Sequence, residues 1–172
     1  TAFRGLLLDG HPHPPVDLVV AAVSYHLYLY CNFSGICDVA IGAAALLGIR
    51  VDENFRHPLA ARNPQEYWTR WHITLSTYMR DVVFSPLTKA LVSRWGRADH
   101  AVAVSIAVVF VLLGIGHGAG AHYAVYGMLQ AVGVVTTHYF TLWLKGRGRD
   151  AWRRWHESRW IEAAAITTTF LY

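Results

Sequence analysis

Two histidines stand where the residue types around them allow chemistry. His117 sits in Gly114-Ile115-Gly116-His117-Gly118-Ala119-Gly120-Ala121-His122, a glycine-rich break between long apolar runs. At 1.5 Å per residue, 101–116 covers roughly 24 Å, short of a hydrocarbon core of about 30 Å. His117 is therefore expected inside the thickness of a membrane, where a titratable group is costly and asks for a function. An imidazole kept neutral by a low-dielectric cavity can act as a general base, and the flanking glycines let a substrate or another backbone come close. His122 does not share a helical face with His117, which argues against a two-histidine metal site.

The second histidine, His72, belongs to a segment that opens as a helix. Asn63 is suited to the N-cap, Pro64 to the first turn and Glu66 to the closing of a capping box, and Pro86 ends the pattern, so the spacing predicts one helix over 64–84. On such a helix Trp68, His72, Leu75 and Met79 share a face, with Trp71 and Tyr78 at its edge, while Arg70, Thr74, Thr77 and Asp81 lie opposite. This mixture suits an interfacial or re-entrant helix, with rings at headgroup depth and arginines reaching water. From periodicity alone, His72 reads as a hydrogen-bonded histidine in a packed aromatic face.

The elements that must hold these residues are membrane elements. Of 172 residues 54% are hydrophobic and only 15% charged, which fits a soluble domain poorly. The formal charge of +4, from 15 Lys+Arg against 11 Asp+Glu, is concentrated between apolar runs, pointing to loops on an anionic leaflet and away from nucleic acid. Spans are expected over 16–33, 101–116 and 121–144, with another beginning over 161–172. A break at Asn32, Ser34, Gly35 and Asp38 should precede a short helix over 38–47 that stops at Gly48. Asp38 then either caps that helix or contacts a substrate. Lys89, Arg94 and Arg97 before 101, and Lys145, Arg147, Arg149, Arg153, Arg154 and Arg159 after 144, place both ends of the 101–144 hairpin on the cytoplasmic side. The fold class expected is an all-α membrane protein, a multi-span helical bundle with broken and interfacial helices, of which this chain is an internal fragment. Cys31 and Cys37 read as two buried small residues. His11 and His13, in a proline tract, read as a solvated loop.

No glycine-x-serine-x-glycine elbow, phosphate-binding loop or His-Glu-x-x-His occurs. Intramembrane histidines beside broken spans also fit a transporter or channel segment, in which His117, His72 and the Asn32–Gly35 stretch line a proton or solute path.

Taken in order, Phe33-Ser34-Gly35 with Asp38 and Ala40-Ile41-Gly42, Glu53-Asn54-Phe55, Trp68-Thr69-Arg70-Trp71-His72-Ile73-Thr74-Leu75-Ser76-Thr77 with Arg80-Asp81, and Gly116-His117-Gly118 resemble the membrane-bound O-acyltransferase family. The bacterial branch, with its alginate O-acetylation and teichoic acid D-alanylation proteins, is the nearest in pattern. The resemblance implies a multi-pass protein of the cell (inner) membrane that moves an acyl group, acetyl foremost, from a thioester donor to a hydroxyl. That donor is an acyl-CoA or an acyl carrier protein, with no bound cofactor or metal. The acceptor is a cell-envelope polysaccharide or similar molecule, and the partners are membrane lipid and other proteins of an envelope-modification system. His117 resembles the family's catalytic histidine and His72 the second histidine of the reaction tunnel; Trp71, Arg80, Ser34 and Asp38 are then candidates to line the substrate cavity. Two positions depart from the family pattern: Gly116 stands where tryptophan is usual, and Asn32 where aspartate is usual. A catalytically inactive homologue is the reading these departures leave open.

Overall fold

A computed structural model of the chain describes residues 14–118 and 120–171; the proline tract with His11 and His13 lies outside them. The described residues form helices and connecting turns without a strand, and the chain divides into two compact units at Glu53/Asn54.

The first unit is built on α1, Pro15–Leu46. Pro15 starts it, since the first turn needs no N–H from that position. It ends in a Schellman motif, with Gly48 at φ 74° and the N–H groups of Gly48 and Ile49 donating to Ala45 and Ala44 carbonyls at 3.0 and 2.9 Å. The helix runs unbroken through residues 31–38, so the expected interruption and separate 38–47 helix are corrected. Asn32, Ser34, Gly35 and Asp38 each weaken a helix by about 1 kcal/mol or less, whereas a broken backbone in apolar surroundings strands several donors and acceptors at several kcal/mol each. Ser34 Oγ donates back to the Cys31 carbonyl at 3.4 Å. Asp38 is therefore an exposed mid-helix residue, not a cap, and Cys31 is exposed where a buried residue was expected; neither cysteine is in a disulfide.

The second unit begins with a 3-10 turn, Pro58–Ala60, then α2 (Pro64–Arg70) and α3 (Ile73–Met79). A π-helical turn, Arg80–Phe84, leads into α4 (Ser85–Trp95). The hairpin of α5 (Ala98–Gly116) and α6 (Ala121–Gly146) follows, and α7 (Arg149–Glu157) and α8 (Arg159–Leu171) close the chain. Pro86 does not end the helix, contrary to expectation. The wide turn, in which Ser85 N–H bonds the Arg80 carbonyl, relieves the ring clash with the preceding turn that forbids proline in an ordinary helix interior.

The α5/α6 crossing is main chain against main chain. A Cβ on Gly114 would run into the Tyr123 carbonyl oxygen and come within 3.1 Å of the Gly127 Cα; one on Gly127 would run into the Phe110 carbonyl. Around this crossing Ile106, Phe110, Ala131 and Val134 form the buried core, against which Trp68 and Phe84 pack. Ser105, fully buried, donates to the Ala101 carbonyl at 2.8 Å. Of the described helices, α1 and α5 are long and apolar enough to cross a membrane.

Gly114→Ala and Gly127→Ala should each lower stability by about 1–3 kcal/mol, read as a fall in the thermal unfolding midpoint in detergent. Gly42→Ala, in α1 with open space around it, should be neutral or stabilising by up to about 1 kcal/mol.

Candidate active site

The expected single helix over 64–84 is broken once more, at Trp71–His72, and the break builds the site. Asn63 caps α2, its Oδ1 accepting the Glu66 N–H at 2.8 Å; Glu66 reaches back to the Arg62 N–H at 2.8 Å, one residue before the cap. After Arg70 the chain turns extended at Trp71 and left-handed at His72 (φ 45°, ψ 56°) before α3 begins. His72 and His57 are the non-glycine residues with positive φ among those described. Such a conformation is sterically disfavoured and persists where neighbours enforce it.

Here the neighbour is residues 54–56. Arg56 N–H donates to the Arg70 carbonyl at 2.9 Å and Ile73 N–H to the Asn54 carbonyl at 3.0 Å, so the groups freed by the break are satisfied. The face that helical spacing assigns to Trp68, His72, Leu75 and Met79 is thereby corrected, because phase is lost at the break. Trp68 turns to Phe110, ring centroids 5.1 Å apart, and donates Nε1–H to Gln130 Oε1 at 3.2 Å. Trp71 is buried, edge-on to Phe55 at 5.0 Å and stacked on Tyr67 at 5.6 Å. Burial, and after it the neighbouring Tyr126, pushes the Tyr67 phenol far up, so it remains neutral.

His72 is half-buried, its Nδ1 3.1 Å from Asn54 Oδ1. Desolvation first, and the charge of His117 second, hold its imidazole below the ordinary 6.5. That coupling joins the two histidines across 45 residues of chain. His117 itself is exposed at the C-terminal end of α5, and its Nδ1 meets the Leu113 carbonyl. A carbonyl only accepts, so Nδ1 donates, and neutral His117 carries its lone pair on Nε2. Gly118 leaves room for the Tyr123 ring, which lies 6.4 Å from that of His117.

A cavity of about 260 Å³ lies between α2, α3 and the α5/α6 hairpin, with Thr69, Ser76, Thr77 and Arg80 over an apolar floor of Ile106 and Phe110. Neither histidine lines it, but Ile73, next to His72, and Leu113, which holds His117, do. Arg80 is thus at a cavity, its Nε donating to Asp81 Oδ1 at 3.0 Å. Trp71 packs among aromatic rings and does not line the cavity. Ser34 and Asp38 lie on α1, outside the unit that carries the histidines. Asn54 and Thr74 are the site residues that periodicity missed. Both fall within the motifs that carry the family resemblance, but their hydrogen bonding to the break leaves no periodic spacing from which to read it. Among the described residues no three His, Cys, Asp or Glu side chains stand together to hold a metal ion.

Below pH 6.5 the unfolded chain takes up a proton on the His72 imidazole and the folded one resists it. Stability contributed by neutral His72 is therefore present above that pH and lost as pH falls toward the depressed folded value. Unfolding midpoints in detergent should drop from pH 7 to pH 5, and His72→Gln should flatten part of that drop.

Residues 16–158 match the family model described as membrane-bound O-acyltransferase. The chain is 32% identical to the teichoic acid D-alanyltransferase of Bacillus subtilis, over 85% of this chain and 36% of that protein. It is 35% identical to the peptidoglycan O-acetyltransferase of Helicobacter pylori, over 66% of this chain and 20% of that protein. It is 34% identical to the probable alginate O-acetylase AlgI of Pseudomonas syringae pv. tomato, over 72% and 24%. The aligned region thus spans about a third or less of the length of these curated relatives, while most of this chain, both histidines included, lies within the family match. The chain belongs to the membrane-bound O-acyltransferase family.

Proposed function

We propose that the protein is a multi-pass membrane O-acyltransferase of the inner membrane that moves a small acyl group from a thioester donor to a hydroxyl of a cell-envelope polysaccharide. The observation that carries this reading is the His117 geometry: a histidine oriented through Nδ1 by the Leu113 carbonyl, with Nε2 as its base. The relatives' names support the class of reaction, since they include acetyl and D-alanyl transfer to alginate, peptidoglycan and teichoic acid.

In the proposed step, Nε2 of neutral His117 takes the acceptor's hydroxyl proton as the oxygen attacks the thioester carbonyl carbon. The tetrahedral intermediate collapses with cleavage of the C–S bond. The imidazolium returns its proton to the departing thiolate, so the products are an ester and a free thiol. His72, kept neutral by burial, orients a substrate without adding a positive charge beside His117. The cavity between Thr69, Ser76, Thr77 and Arg80 accommodates the acyl end of the donor, an acyl-CoA or acyl carrier thioester. Gly116 has open space where a side chain would stand, which leaves the approach to His117 wide.

The test is transfer of a radiolabelled acetyl group from acetyl-coenzyme A by the full protein in membranes. His117→Ala should lower turnover by about 10²–10⁴-fold, while transfer undiminished in that variant would remove the assignment. Arg80→Ala should raise KM for the donor more than it lowers kcat, because Arg80 binds at the cavity and takes no proton.

A further inference from the structure

We propose that Asn54 is the positioning residue for His72, fixing both the backbone that presents the imidazole and the ring nitrogen that bears its proton. This rests on the acyl-transfer reading in which His72 borders a substrate.

Three consecutive residues hang on this one side chain and its carbonyl. Asn54 Oδ1 receives the Thr74 N–H at 3.1 Å, the Thr74 hydroxyl at 2.9 Å and His72 Nδ1 at 3.1 Å, and the Asn54 main-chain oxygen receives the Ile73 N–H at 3.0 Å. Asn54 is itself 9% exposed, so the acceptor end of these part-buried bonds is shielded from bulk water.

The chemistry of the partners fixes the proton. A backbone N–H can only donate, so the amide atom facing Thr74 is the oxygen and not the nitrogen. An amide oxygen can only accept, so His72 Nδ1 must be the donor toward it. The neutral ring is therefore the Nδ1–H tautomer, with its lone pair on Nε2, the same tautomer that the Leu113 carbonyl imposes on His117. The two rings thus keep the same basic nitrogen, Nε2, one held by a side-chain amide and the other by its own helix.

The same contact locks the main chain. His72 has the left-handed backbone that is sterically disfavoured for an L-residue. The Thr74 and Ile73 bonds to Asn54 sit immediately after it, closing the first turn of α3 in the one register that points residue 72 out of the helix. An ordinary helix in this stretch would carry His72 round with Trp68. The proposal thus gives the break at Trp71–His72 a purpose.

The experiment uses the full protein in membranes with acetyl-coenzyme A, reading kcat, KM and the pH profile for Asn54→Leu, Asn54→Asp, Thr74→Val and His72→Ala, and for the Asn54→Leu/His72→Ala pair. Asn54→Leu should lower kcat by about 10–100-fold, the range for loss of a residue that orients a functional histidine, with little change in KM. Asn54→Asp keeps an acceptor and the tautomer, so kcat should stay within about threefold of wild type. Its carboxylate favours the imidazolium, so the acid limb of kcat should move to higher pH, against the downward pull that burial, and after it His117 when protonated, exerts on His72. Thr74→Val, which leaves the His72 bond in place, should remain within about threefold. In the His72→Ala background Asn54→Leu should cost little more.

Additive losses in the pair would make Asn54 merely structural and overturn the proposal, as would an acid limb unmoved in Asn54→Asp. Should Asn54→Leu fail to accumulate in membranes, the Asp variant's acid limb decides alone. Full turnover by His72→Ala would instead remove the role of His72 in acyl transfer, and the proposal with it. That result is separable from failure of the Asn54 contact, because only then is the single His72 variant silent.

Discussion

The contact of backbone with backbone at Gly114 and Gly127 is the constraint on which the second unit depends. Between helices in lipid the hydrophobic effect offers no gain, and close approach at small residues replaces it with dispersion and carbonyl contacts. Once α5 and α6 are that close, Phe110, Ala131 and Val134 interlock on one side, and Trp68 has a surface to rest on. His117, three residues beyond Gly114, is thereby fixed at the turn of the hairpin. Its position follows from a packing requirement and not from its own interactions.

Chemistry is added to this frame by acceptors of fixed sense. Neither the Leu113 carbonyl nor Asn54 Oδ1 can donate a hydrogen bond, so each dictates which nitrogen of its histidine holds the proton. Burial keeps His72 neutral, and a proton on His117 works in the same direction. A positive charge gained by His117 during a reaction would thus leave His72 neutral. A pair arranged in this way suits a step in which a single proton is borrowed and returned.

Much of this was legible in the residues, and the omissions have physical causes. The glycine break with His117, the Asn63 cap and the Gly48 stop are local signals, set by one or two residues each, and the described structure has a turn or helix end at each. The unbroken α1 was not legible, because propensities at Asn32, Ser34, Gly35 and Asp38 suggest a break, while the need to satisfy every backbone group overrules them. Nor was the break at His72, whose cause, Asn54, is 18 residues upstream and leaves no periodic trace. Pro86 misled for a subtler reason: its effect depends on whether the turn before it is wide or tight. Trp71 was picked out as a pocket residue by its motif, but the extended backbone at that position turns it into the aromatic layer instead.

The π-helical turn at Arg80–Phe84 sets the angular relation between the two ends of the helix it joins. Each extra residue in such a turn advances everything beyond it by about 100° around the axis relative to an ordinary helix. The faces of α3 and α4 are consequently read in different frames, as the halves of a camshaft are keyed apart. Arg80, at the offset itself, can address the cavity while the residues after Pro86 meet α5 along a separate line. A lost or gained residue in this turn would rotate one end against the other and leave both helices intact, so the cavity and the α4/α5 seam are free to vary independently in sequence only while that key is kept.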